Sequence, residues 1–272
     1  MKKILLIVLI GGFIANSASA QTEKPKKDSV VISVITITYK KDTSTAHKNQ
    51  LAIKIGGEKK QEKKKITTNW WVLDLGFANY TDKSDYQYAE AQGFVNSSIG
   101  AEQFKLKTGH SINVNLWIIT QKLNLYKQAW NLKYAVGLET NNYQFQDERM
   151  YLTKLPTKFQ LAASPYHKTK LAADYLTVPV MLNYNTTPGK NKGLNLSAGI
   201  SAGFLYSSRF KIKSSGIDKT HGDFGLEKFK LAYVGEIGIK RVKLYGSFAM
   251  KNMWSNNLNA TPFSVGFRLG NW

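Results

Sequence analysis

The feature that most constrains this chain is an alternation whose two faces are unlike each other. From Asn69 onward, segment after segment sets large apolar side chains at every second position, with small or polar ones between. In "NWWVLDLGFANY", Trp71, Leu73, Leu75 and Phe77 oppose Val72, Asp74, Gly76 and Ala78. In "SINVNLWI", Ile112, Val114, Leu116 and Ile118 oppose Ser111, Asn113 and Asn115. The same reading covers "WNLKYAVGLETNNY", "YLTVPVMLNYN", "LNLSAGISAGFLY", "FKLAYVGEIGIK", "VKLYGSFAM" and the closing "TPFSVGFRLGNW". A period of two is that of a β-strand with two different surroundings.

A soluble sandwich or a lipocalin-like barrel also alternates, so the period leaves the solvent open. The second face discriminates. It is made of Gly, Ala, Ser and Asn, with charges of both signs: Asp74, Lys133, Glu139, Lys230, Glu236, Lys243 and Arg268. Glycine and alanine suit a crowded, concave interior, whereas a water-facing sheet is rich in Lys and Glu. Bulk outside with small and ionic groups inside is the pattern of a transmembrane β-barrel. Aromatics gather toward strand ends (Trp71, Trp130, Tyr184, Tyr206, Trp254 and Trp272), where membrane interfaces are expected. The predicted fold is therefore all-β: an antiparallel, up-and-down transmembrane β-barrel of about eight strands.

Connection lengths point the same way. Residues 81–109 and 148–172 are long and polar, 211–226 is middling and 255–261 shorter; between them "YKQA", "NTTPGKNKG" and "KR" are tight. Long and short alternate, as extracellular loops and periplasmic turns do. Pro179 removes a ladder donor inside a strand and predicts a bulge or a weak pairing there.

Ahead of the barrel, Lys2 and Lys3, an apolar run over residues 4–14 and "ASA" predict a secretory signal peptide, residues 1–20, cut after Ala20. The run is too short to span a bilayer as a helix. Residues 21–66 read as a basic periplasmic leader, with lysines around two β-like runs, "SVVISVITITYK" and "LAIKI". Should those runs join the main sheet, the count becomes about ten and the lumen widens. The barrel domain is assigned to residues 67–272. With no cysteine, disulfides, thiol catalysis and a lipidated anchor are excluded. The formal charge of +20 would suggest nucleic acid in a cytosolic protein; export redirects it to anionic lipid head groups, and no nucleic-acid partner is expected.

The leader's "IKIGG", the opening "WWVLDLGFANY", the strand "YLTVPVMLNY" and the terminal "FSVGFRLGNW" together resemble the outer-membrane β-barrel proteins of Bacteroidetes, the PorT-like barrel family. The resemblance implies the outer membrane as location. It also implies insertion by the barrel-assembly machinery, which reads a C-terminal aromatic strand; ending on Trp272 departs mildly from the commoner Phe. Some members are implicated in secretion across the outer membrane, so periplasmic or secretion partners are a further implication.

For function, the inward charges should pair, because lone charges in a narrow barrel are costly. Arg268 and Asp74 become neighbours if the sheet closes, and Glu236 and Lys243 sit on adjacent strands. An ion-pair network in a filled lumen is expected, with a conductive or ligand-binding lumen as the alternative. The predicted role is structural or interactive, with the extracellular loops as partner-contact surface and lipopolysaccharide as a further partner. A small passive pore, an accessory component of secretion and a lipid A-modifying hydrolase are the rival readings. The last draws on His47, His110, His167 and His221, with Ser164, Ser214, Ser215, Asp218 and Asp223 near the latter two, but no motif fixes a catalytic geometry. "HGDFG" lacks metal-ligand spacing, so neither metal nor cofactor is expected. The loop cations Arg149, Lys154, Lys158, Lys168, Lys170, Arg209, Lys211 and Lys213 fall where lipopolysaccharide phosphates lie.

Overall fold

The computed structural model describes residues 35–39, 51–55, 65–188, 193–239, 241–255 and 258–270. The signal-peptide expectation, most of the leader, His47 and Trp272 lie outside the described residues. In chain order the strands are β1 (Ile35–Tyr39), β2 (Leu51–Ile55), β3 (Ile66–Asp82), β4 (Ile112–Tyr126), β5 (Trp130–Gln144), β6 (Met150–Lys154) and β7 (Thr157–Leu161). They continue as β8 (Lys168–Asn185), β9 (Leu194–Lys213), β10 (Ile217–His221), β11 (Phe229–Ile239), β12 (Val242–Ala249) and β13 (Ala260–Leu269), with one short α-helix among the described residues, α1 (Tyr86–Ala91).

The two leader runs pair with each other, β1 against β2, in a two-stranded antiparallel sheet. The main sheet is a ring without them. Strands β3, β4, β5, β8, β9, β11, β12 and β13 pair antiparallel in sequence order, and β13 closes back on β3. Eight strands joined neighbour to neighbour make an up-and-down barrel, which leaves the ring no unpaired edge. The tight turns share the rim where β3 begins and β13 ends, called the lower rim. The long connections share the upper rim, where β6 and β7 form a hairpin and β10 continues beside β9.

The two faces sort as the alternation demands. Leu75, Phe77, Leu176, Val178, Val180, Leu182, Ile200, Leu244, Val265 and Phe267 are exposed on the outside, while Asp74, Asn113, Lys133, Glu139, Thr177, Glu236 and Arg268 are buried inside. The period is interrupted at register shifts near Ile118 on β4 and Asp174 on β8, and at Trp71 on β3. Trp71 has φ of 57°, in the left-handed region that bulky residues avoid. The kink turns both Trp70 and Trp71 outward, at 61% and 66% exposure, and puts two indoles at the lower rim. Trp130, Tyr184 and Tyr206 are outward as well. Trp254 corrects the sequence reading: it is only 2% exposed and packs edge-on against Tyr80, Phe104 and Phe159 inside the barrel mouth. It stands between strands, where alternation no longer dictates which way a side chain faces.

The closing seam needs glycine. Gly76 faces Gly266 across β3 and β13, and a Cβ on Gly266 would lie 2.4 Å from the Gly76 Cα. The space they leave is crossed by the ring of Tyr245, which neighbours Gly266 in register and reaches over both glycines to donate to Asn113 Oδ1 on β4. An aromatic laid over strand glycines restores the packing that missing side chains forfeit. Pro179 pairs in register with Ser201 on β9, but the β5–β8 ladder is interrupted beside it, between Tyr134↔Val180 and Gly137↔Thr177.

Candidate functional site in the barrel interior

The lower and middle lumen is polar and held by charge. Arg268 Nε and Nη2 donate to Asp74 Oδ1 and Oδ2, both at 2.7 Å, across the register pair that closes the ring. Its third nitrogen, Nη1, donates to Glu236 Oε2 at 2.7 Å. Asp74, with no exposed surface, also accepts from Trp117 Nε1 at 2.7 Å and Asn115 Nδ2 at 3.2 Å. The bidentate geometry is one that only a guanidinium provides.

Two further ion pairs span the lumen. Lys133 on β5 meets Glu236 on β11, and Lys230 on β11 meets Glu139 on β5. These strands are three places apart in a ring of eight, so the pairs are transverse ties rather than neighbour contacts. Their origin lies in a repeated spacing. "KYAVGLE" on β5 and "KLAYVGE" on β11 both read K-x5-E. An even separation puts lysine and glutamate on the same face of a strand, and running two such strands antiparallel sets each lysine opposite the other's glutamate. Sequence reading grouped these four charges without seeing the spacing that pairs them.

Neutral donors complete the network. Ser197 Oγ donates to Glu236 Oε1 at 2.7 Å; Thr177 Oγ1 and Asn141 Nδ2 donate to Glu139 at 3.1 and 2.9 Å. Asn113 Nδ2 donates to Asn141 Oδ1 at 2.8 Å, which links the ion pairs to Tyr245. Lys243, expected beside Glu236, lies opposite Gly238 and Arg268 in register, and Tyr245 takes the place opposite Glu236. Lys243 Nζ donates instead to the carbonyl of Gly270 at 3.2 Å. A cavity of about 20 Å³ remains among Trp117, Glu139, Met181, Tyr245 and Arg268, room for about one water.

The upper lumen is a different medium. Phe94, Val95, Phe104 and Leu106 from the connection after β3, Phe145 directly after β5, Phe159 on β7, and Phe224, Leu226 and Trp254 from the later connections are all buried. They pack on Tyr80, Tyr143, Leu171, Tyr175 and Phe210 from the upper inner strand faces. Phe159 makes ring contacts with Phe94, Phe104, Phe145 and Trp254. The stretches read as long polar loops, 81–109 and 148–172, thus supply much of an aromatic plug. Their mean polarity hid it, because the apolar residues are scattered singly and follow no period. Backbone bonds knit the plug together: Phe159 N to Phe94 O at 2.8 Å, Gln146 N to Lys105 O at 2.8 Å and Glu227 N to Met253 O at 2.9 Å.

At the rim, α1 is capped by Asp85, which accepts from Tyr88 N at 3.1 Å. Burial, with a bond to Asp82, pushes the Tyr86 hydroxyl far above its ordinary range. The Asp147 carboxyl is held below its usual value by hydrogen bonds from the Arg149 side chain. His110 lies in a short 3-10 turn, His167 precedes β8 and His221 ends β10, all exposed. Among the described residues, no three histidine or carboxylate groups come together as a metal site would need.

Comparison with known families gives one result: the family described as outer membrane protein beta-barrel domain matches residues 61–258. No curated protein and no solved structure matches the chain.

Proposed function

Because the chain belongs to the outer membrane β-barrel protein family, we propose that it serves the outer membrane as a closed, non-conducting scaffold that presents a rigid upper rim to partners. The observation that carries this reading is the pair of transverse ties, Lys133–Glu236 and Lys230–Glu139, beneath an aromatic plug. Barrels of about eight strands have interiors that side chains can fill, and here they are tied across as well as filled. On this proposal the long connections face outward from the cell and the basic leader faces the periplasm after removal of residues 1–20. The likeness to PorT-like barrels is carried into the proposal with its implication of assembly or secretion partners.

A passive pore would need a continuous wet path past the ties and the plug. Planar-bilayer recording of the refolded protein tests this. The expected trace is silent; discrete conductance steps would refute the closed-scaffold reading. Crosslinking from the rim hairpin β6–β7 in intact cells is expected to capture a discrete partner. Capture of lipid alone would remove the interaction role.

A further inference from the structure

The outer wall beyond the apolar belt carries a lattice of lysines. At the upper rim β8, β9 and β10 lie side by side. Lys168 faces Lys213 and Lys170 faces Lys211 between β8 and β9, while Lys211 faces Lys219 between β9 and β10. Residues paired across a ladder share a face. Their alternates Leu171 and Phe210, themselves a register pair, are buried in the plug, so the lysines point away from the barrel axis. Tyr206, the residue left over at the β8–β9 register shift, is exposed on the outside five residues before Lys211. The lysines therefore stand past the acyl-facing belt, on the side of the long connections, where a flexible ammonium arm can reach back toward lipid head groups.

Like charges set directly opposite destabilise a strand pair. Here three such contacts crowd together. Among the described residues none of the five ammonium groups has an ion pair. The neighbouring Arg209 is different, being paired with Asp174. With Ile212 and Ile217, the aliphatic stems of the lysines surround a depression of about 380 Å³. Five ammonium groups set close together on one outer face with no ion pair are the arrangement an external polyanion would complete.

We propose that the β8–β9–β10 lysine lattice binds the phosphate groups of an outer-leaflet glycolipid. The inference rests on the orientation given above, with the long connections outside the cell. Several ammonium groups on a rigid sheet can share the oxygens of a phosphomonoester, and the exposed Tyr206, Phe204 and Leu176 below them offer apolar contact for the acyl chains.

The test uses the full refolded barrel in detergent with bisphosphorylated lipid A, its dephosphorylated form and inorganic phosphate as separate probes. Native mass spectrometry gives the bound fraction. The variant K168Q/K170Q/K211Q/K213Q is expected to bind bisphosphorylated lipid A at least about tenfold more weakly than the parent. The milder K170Q/K211Q should fall between, and K154Q/K158Q on the β6–β7 hairpin should match the parent. Binding by the parent should weaken steeply with salt and drop for the dephosphorylated lipid. Equal binding by the parent and a folded fourfold variant overturns the proposal. Competition by inorganic phosphate at matched concentration overturns the lipid assignment. The scaffold reading fails separately, by conductance of the parent, so equal binding between two folded and silent barrels counts against the lattice alone.

Discussion

Replacing Arg268 by methionine is expected to destabilise the barrel by about 3–5 kcal/mol, the range for removing one partner of a buried ion pair. Methionine keeps much of the packed bulk and deletes the charge. Glu236 keeps Lys133 and Ser197, so the damage concentrates on Asp74. That carboxylate loses its bidentate donor and is left, fully buried, with the neutral N–H groups of Trp117 and Asn115. The same reasoning makes the double variant Asp74→Asn/Arg268→Met milder than Arg268→Met alone by about 2 kcal/mol, because no uncompensated charge remains. The assay is urea-induced unfolding in lipid vesicles, followed by tryptophan emission and by the mobility of the unheated protein on gels. An Arg268→Met barrel within about 1 kcal/mol of the parent would refute the reasoning, as would a double variant whose loss is the sum of the singles.

Three further outcomes are expected. Val180→Arg, on the outward face of β8 midway between Leu176 and Tyr184, should cost about 2–4 kcal/mol in vesicles; a neutral result would place that face away from acyl chains. Phe159→Ala removes the centre of the plug and should cost about 3–5 kcal/mol, with rim connections that become open to added protease while the strands stay protected; unchanged proteolysis would contradict the plug. Glu139→Lys and Lys230→Glu should each impair folding in a refolding-yield assay and restore it when combined, since the swap rebuilds the tie in reverse; a double variant as poor as the singles would argue against pairing across the lumen.

Much of the architecture was legible because the two faces of each strand meet different surroundings along its whole length. Asp74 and Arg268 could be matched from sequence alone, since closing any even meander brings its first and last strands together. The remaining interior pairs were harder to see. Lys133 and Glu236 are far apart along the chain and on strands that do not touch. Only the shared K-x5-E spacing, together with the ring order, puts them face to face. The plug was illegible for a different reason. Phe94, Phe104, Phe145 and Trp254 sit outside the strands and Phe159 on the short rim strand β7, so no long period marks them, and they converge only because the ring gathers four connections at one mouth. Trp254 was misread on the same ground, since an aromatic near a strand end can face the interface or turn into the mouth. Trp70 escaped notice because the positive φ at Trp71 interrupts the alternation that sequence reading relies on.

The central claim, that bulky residues meet acyl chains and ionic ones face the axis, is open to site-directed spin labelling, and the chain has no native cysteine to remove. Labels at Val180, Ile200, Leu244 and Phe267 in vesicles should relax strongly with bilayer-dissolved oxygen and weakly with an aqueous nickel reagent. Labels at Thr177, Ser201 and Ser264 should respond to neither. Nickel accessibility at the first set, or oxygen accessibility at the second, would contradict the account.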